Sequence, residues 1–186
     1  MARIEPLEAP FSPEVERVLT PMMPPGVPPI ALFRTFGHNP AMAAAMHGWG
    51  RYELGRELSV PMRIRELVID RVCARCGCEY EWGVHVTFFA ERVGLTSEEL
   101  RSLTHGRPDD GCWTDGAERA VLAMVDALHD TSTVPDDVWV ELAVHFDDAQ
   151  LLDLLLLAGW YHAISFVARA AAVPLEPGAP RFSDVA

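Results

Sequence analysis

Two apolar stripes hinged on a single glycine restrict this chain more than any other feature. In MRIRELVIDRVCARC, residues 62–76, the apolar positions Ile64, Leu67, Val68 and Val72 recur at helical spacing behind Pro61. Gly77 interrupts the pattern, and EYEWGVHVTFFAERV then runs on to Gly94, a residue suited to close a helix in the left-handed conformation. Two helices joined through so short a turn must fold back on each other, which predicts a helical hairpin at the centre of the fold.

The rest of the chain punctuates in the same way. Asn39-Pro40 opens AMAAAMHGWGRYEL, with Gly55 as its stop. Thr96 with Glu99 three residues on forms a capping box before SEELRSL. Asp115, Pro135 and Asp147 each precede a helical pattern, the last continuing to about Ala172. No segment alternates with period 2, so the expectation is an all-α bundle of about seven helices with a helix-hairpin core. The proline-rich residues 1–35 read as an extended arm with one short helix near Glu14–Leu19, either wrapping a neighbouring copy or disordered. Residues 36–175 form the helical domain and 176–186 a tail.

Charge and composition remove several classes of function. The formal net charge of −12 repels nucleic acid and anionic membranes, so neither is expected as a partner. The longest apolar run, LLLLAGWYHAISFV, is broken by His162 and Ser165 and reads as a core helix rather than a membrane span. The first residues show no secretory signal. Three of the four cysteines, Cys73, Cys76 and Cys78, crowd together, unlike a secreted disulfide framework, so a cytoplasmic location is expected. Cys112 has no evident partner.

The chemistry gathers at CARCGCEYEWGVH. Cys78 falls at the start of the second hairpin helix, and Cys78, Glu81 and His85 are i, i+3 and i+7, on one face. Antiparallel pairing brings Glu66 of the first helix toward His85. A carboxylate that orients a histidine, beside a cysteine at a helix N-terminus, suits acid–base work or a reactive thiol. Cys73 and Cys76 lie at a helix C-terminus, where the dipole disfavours a thiolate, and read as packing residues or as resolving thiols for Cys78 across the turn. No metal is expected, because the cysteine run lacks a second, distant ligand pair.

These residues resemble the carboxymuconolactone decarboxylase and alkyl hydroperoxide reductase D-like family. Glu66, Cys78, Tyr80 and His85 match its signature, and RELVIDRV, GLTSEEL and GWYHAISFVARAAAVPLE agree over roughly residues 40–175. The resemblance implies an all-helical fold and a homo-oligomer, a trimer, hexamer or dimer. It also places the last long helix near the pocket, which brings in His162 beside Tyr80 and Trp82 as pocket residues. Glu81 stands where the peroxidase branch carries its second cysteine, so the resemblance implies cofactor-free acid–base chemistry on a small carboxylated or carbonyl-bearing substrate. His85 is then the acid or base, Glu66 and Glu81 its partners, and Cys78 a pocket residue. Hydroperoxide reduction by Cys78 and a non-catalytic scaffold are the alternatives.

Overall fold

The computed structural model describes residues 1–186, and all of its regular structure is helical. Nine α-helices follow in order: α1 Pro13–Leu19, α2 Ala31–Phe36, α3 Pro40–Glu53, α4 Met62–Arg75, α5 Glu79–Phe89, α6 Ser97–His105, α7 Gly116–Thr131, α8 Asp136–His145 and α9 Asp148–Ala170. Short 3-10 turns follow α1 and close the chain. The starts read from sequence are built as side-chain caps. Asn39, Thr96, Asp115 and Asp147 each accept a backbone N–H of their own helix, and Thr96–Glu99 and Asp147–Gln150 complete capping boxes. The short α2 was not anticipated; it follows Pro28-Pro29 and carries no side-chain cap. α5 stops at Phe89, one turn before the expected end at Gly94.

α4 is the axis of the molecule, packed by α5, α6, α7 and α9. Ile64 through Cys73 are all buried, polar residues included. The sequence stripe identified only one face of this helix, because a helix ringed by four others has no outward face. Its charges are consequently paired. Arg71 holds Asp126 through two contacts of 2.7 and 2.6 Å and donates to the carbonyls of Ser102, Leu103 and Gly106 that close α6. At the exposed start of α4, Arg63 bridges Glu99 and Glu118, both at 2.5 Å.

The hinge between α4 and α5 is a Schellman motif. Gly77, at φ +63°, donates to Ala74, and Cys78 donates to the Cys73 carbonyl at 2.7 Å. This motif brings the residues at its two ends together, here Cys73 and Cys78. The same motif ends α9, where Ala172 donates to Arg169 and Val173 to Ala168. There the left-handed position, φ +51°, is held by Ala172 rather than glycine. Ala172→Gly is therefore expected to stabilise the protein by about 1 kcal/mol, a rise of roughly 2–4 °C in Tm measured by calorimetry.

Both chain ends close onto this core. The arm folds back on its own chain, with Arg3 donating to the Ala171 carbonyl and Leu7 to that of Arg34. The tail lies across α5: Phe182 N–H donates to Glu79, and its ring meets Trp82 edge-on at 5.2 Å. Gly83 permits the approach, since a Cβ there would stand 2.7 Å from the Pro180 carbonyl oxygen. α9 is long and apolar enough to cross a membrane by length and composition, and half of its most apolar window is buried in the fold. Leu152, Leu156, Phe166 and Val167 form an exposed apolar stripe along it.

Candidate active site

The α4–α5 hairpin sets Glu66 against His85, as antiparallel pairing requires. Glu66 Oε2 lies 2.8 Å from His85 Nδ1, and both residues are buried. Glu66 Oε1 takes the guanidinium of Arg65, at 2.6 Å from Nε. Arg65 also donates to the Leu54 carbonyl and lies over the Phe89 ring. On the other side of the imidazole, Nε2 stands 3.7 Å from Glu81 Oε1, a charge contact too long for a hydrogen bond. Glu81 Oε2 is buried without a hydrogen-bond partner. Phe89 stacks on the imidazole, and Tyr161 of α9 meets it edge-on at 5.0 Å.

Electrostatics give His85 a definite state. Burial opposes its positive charge, but the Glu66 carboxylate, by charge and hydrogen bond, and then Glu81 outweigh it and push the pKa up to about 10. Asp70, one turn beyond Glu66 on α4, goes the other way. Burial and the neighbouring Glu66 charge push its carboxyl well above the usual range, and its Oδ1 has no hydrogen-bond partner. The cations Arg65 and His85 thus face the carboxylates of Glu66 and Glu81. Burial likewise pushes the Tyr161 hydroxyl up.

The cysteines form an adjoining thiol cluster. Cys73, Cys76 and Cys78 are buried and free, and the Ser165 hydroxyl of α9 is buried without a hydrogen-bond partner. Cys78 caps α5, and the Glu81 N–H lowers its pKa, as expected at a helix start. Burial outweighs this help, so the Cys78 thiol sits above its ordinary value. The expected thiolate is thus not the resting form, because the helix terminus that would stabilise it is buried against α9.

Of the residues proposed from sequence, Glu66, Cys78, Glu81 and His85 come together. Tyr80 does not join them. Its hydroxyl donates to Glu176 at 2.6 Å and accepts from Leu32 N–H, tying tail to arm, because residue 80 points off the face of Glu81 and His85. Trp82 packs on the tail ring of Phe182. His162 stacks on His129, a turn away from Ser165 and on a different face of α9 from Tyr161. Sequence reading missed Arg65, Asp70, Phe89, Tyr161 and Ser165. The available signal was RELVID itself, where two acids four residues apart share a helix face with an apolar stripe beside them.

Comparison with known proteins bears on the fold that carries these residues. The carboxymuconolactone decarboxylase family model matches residues 40–127, from α3 through most of α7. Residues 40–127 belong to the carboxymuconolactone decarboxylase family. The family region therefore contains Glu66, Cys78, Glu81 and His85, while Tyr161 and Ser165 come from α9 beyond it. Among solved structures, the debrominase Bmp8 without ligand is similar at TM-score 0.79 and 19% identity, over 98% of this chain and 97% of that one. A peroxidase-related protein of Ralstonia eutropha JMP134 with an alkylhydroperoxidase AhpD core is similar at TM-score 0.78 and 13% identity, over 94% and 93%. A peroxidase-related protein of Silicibacter sp. TM1040 is similar at TM-score 0.76 and 16% identity, over 95% and 93%. Identities this low establish the AhpD-like fold alone. No curated protein matches the sequence.

Proposed function

We propose that this chain is a cofactor-free acid–base enzyme acting on a small carbonyl-bearing or carboxylated organic molecule, by decarboxylation or isomerisation. One observation carries the reading: His85 is fixed through Nδ1 to Glu66, its Nε2 faces Glu81 Oε1 at 3.7 Å, too long for a hydrogen bond, and Glu81 Oε2 is buried without a hydrogen-bond partner. Side chains held this way suit a molecule that accepts a proton on one side and offers one on the other. A histidine charged at neutral pH works as the acid. In a decarboxylation, the bond to the carboxylate breaks, carbon dioxide leaves, and its electron pair forms an enolate. His85 Nε2 then delivers a proton, and water restores it. In an isomerisation, Glu81 removes a proton and His85 supplies one elsewhere.

Thiol chemistry is the second reading, favoured by the crowding of the free, buried Cys73, Cys76 and Cys78 about the α4–α5 turn. Cys78 would take the terminal oxygen of a hydroperoxide and release the alcohol. The resulting sulfenic acid would condense with the Cys73 or Cys76 thiol to give a disulfide and water. The peroxidase-related likenesses support this reading, and so does a solved cysteine-to-alanine variant of Bmp8 in complex with 2,3,4-tribromopyrrole, similar at TM-score 0.76. Burial of Cys78 as a neutral thiol speaks against it. The test is to treat reduced protein with stoichiometric organic hydroperoxide and map oxidised cysteines by mass spectrometry. Acid–base chemistry predicts that Cys78 reacts no faster than a free thiol; rapid, selective oxidation of Cys78 transfers the site to thiol chemistry.

The same reading makes the protein a cytoplasmic homo-oligomer, in keeping with its free buried cysteines and with the exposed α9 stripe, which suits burial against a second copy. Sedimentation of Leu156→Glu is expected to show smaller species than the wild type.

A further inference from the structure

Cys76 caps α4, His129 lies in the last turns of α7, and His162 sits midway along α9. The hairpin turn and the packing of α4 against α7 and α9 bring the three side chains to one point. We infer that Cys76, His129 and His162 form a binding site for a borderline transition-metal cation, Zn²⁺ being the best match. This site is separate from the Glu66–His85 pair and does not depend on the acid–base reading.

Geometry carries the inference. The donor atoms of the three side chains lie within 4.8 Å of one another. Cys76 Sγ is 3.9 Å from His129 Nδ1. The two imidazoles face each other with centroids 5.4 Å apart and planes inclined by only 15°. A tetrahedral zinc with one sulfur and two nitrogen ligands holds its donors roughly 3.3–3.6 Å apart. Closing around an ion therefore needs about an ångström of side-chain rotation and no change in the helices. His162 has that freedom, being half-buried with its ring against the exposed Phe166.

The ligand set also has the right chemistry. One thiolate and two imidazoles match the donor preferences of zinc and exclude magnesium or calcium, which demand oxygen. Three protein ligands leave the fourth position open, as in zinc sites that bind water or a small molecule. A cavity of about 200 Å³, lined by both histidines, Ser132 and the apolar Val72 and Leu155, adjoins them and has room for such a ligand. Local positive charge is already engaged. Arg75 pairs with Asp126 at 3.5 Å and Asp130 at 2.5 Å, and Arg169 donates to the Cys76 carbonyl. Binding replaces the Cys76 S–H bond with a metal–sulfur bond and releases one proton. The sequence expectation of no metal rested on the lack of a second, distant ligand pair; in this proposal His129 and His162, both far along the chain, supply those ligands.

The experiment is a metal titration of reduced, chelator-stripped, full-length protein. Zn²⁺ in competition with a chromophoric chelator is expected to bind at one equivalent. Co²⁺ is expected to give a thiolate charge-transfer band and the visible bands of a tetrahedral site. Cys76→Ser and His162→Ala should each weaken Zn²⁺ at least about tenfold, since even partners outside the ligand shell cost that much. Cys76→Ser should also remove the charge-transfer band, while Cys112→Ser keeps both. Far-UV circular dichroism checks that each variant is folded. Should a variant fail to fold, X-ray absorption of the zinc-loaded wild type decides, with one sulfur and two imidazoles expected around the metal. Binding below one equivalent, binding unchanged in folded Cys76→Ser and His162→Ala, or a shell without sulfur overturns the site.

Discussion

His85→Gln is expected to lower turnover by about 10²–10⁴-fold, the usual contribution of a positioned proton donor. Glutamine keeps a hydrogen-bonding group beside Glu66 but carries no transferable proton. On the same substrate, Cys78→Ser should retain most of the activity, because the sulfur is a neutral wall of the site. The measurement is a steady-state assay of both variants on activated β-keto acids and their unsaturated isomers. Loss confined to Cys78→Ser would sink the acid–base reading. The pH profile adds a second check. His85 is held protonated up to about pH 10, so activity that needs its proton should persist through neutral pH and fall as the solution approaches that value. Titration near the ordinary histidine value, around 6.5, would show that the Glu66 pair does not govern catalysis.

Glu66→Ala is expected to cost about 3–5 kcal/mol of stability, since it strips a buried cation of its partner. Against a typical total of about 5–15 kcal/mol, that is enough to leave the protein partly unfolded under mild conditions. Arg65 would keep only the Leu54 carbonyl and the Phe89 face. Glu66→Gln should lose less, because an amide oxygen can still accept from either neighbour. Urea unfolding at pH 7 measures all three proteins. The sign of the pH dependence follows from the raised histidine. Its stabilising contribution is fully present below the unfolded value near 6.5 and is lost as pH rises through the folded value of about 10. Wild-type stability should therefore decline across that window. In Glu66→Ala, burial of the imidazole is no longer offset by the nearest carboxylate, and the decline should shrink or vanish.

How much of this was legible varies with the range of the interaction involved. Asn39, Thr96, Asp115 and Asp147 announce their helices because a cap is satisfied within three residues. Gly77 announces the hairpin because its turn needs a positive φ. Once the hairpin was placed, the approach of Glu66 to His85 followed. Arg65 and Asp70 are easily passed over for the opposite reason. Charged residues off an apolar stripe look like a solvated face, and only the joint packing of α5, α6, α7 and α9 around α4 buries them. The same holds for His162. Its neighbour His129 is remote in sequence, so no local pattern could couple them. Tyr80 misled because the match to the family signature gave it a pocket role, while its rotation about α5 sends the hydroxyl to Leu32 and Glu176.

The Schellman turn at Gly77 has a mechanical side. One peptide hydrogen bond, from Cys78 to Cys73, both terminates α4 and fixes where α5 begins. Cys76 rides on the outgoing end, and Cys78, Glu81 and His85 ride on the incoming one. The turn thus acts as a common datum from which two neighbouring clusters are measured. Lengthening it by one residue would rotate α5 by about 100° against α4. His85 would swing off Glu66 and Cys78 off Cys73 in one step, so the hinge tolerates an exchange of residues only at fixed length.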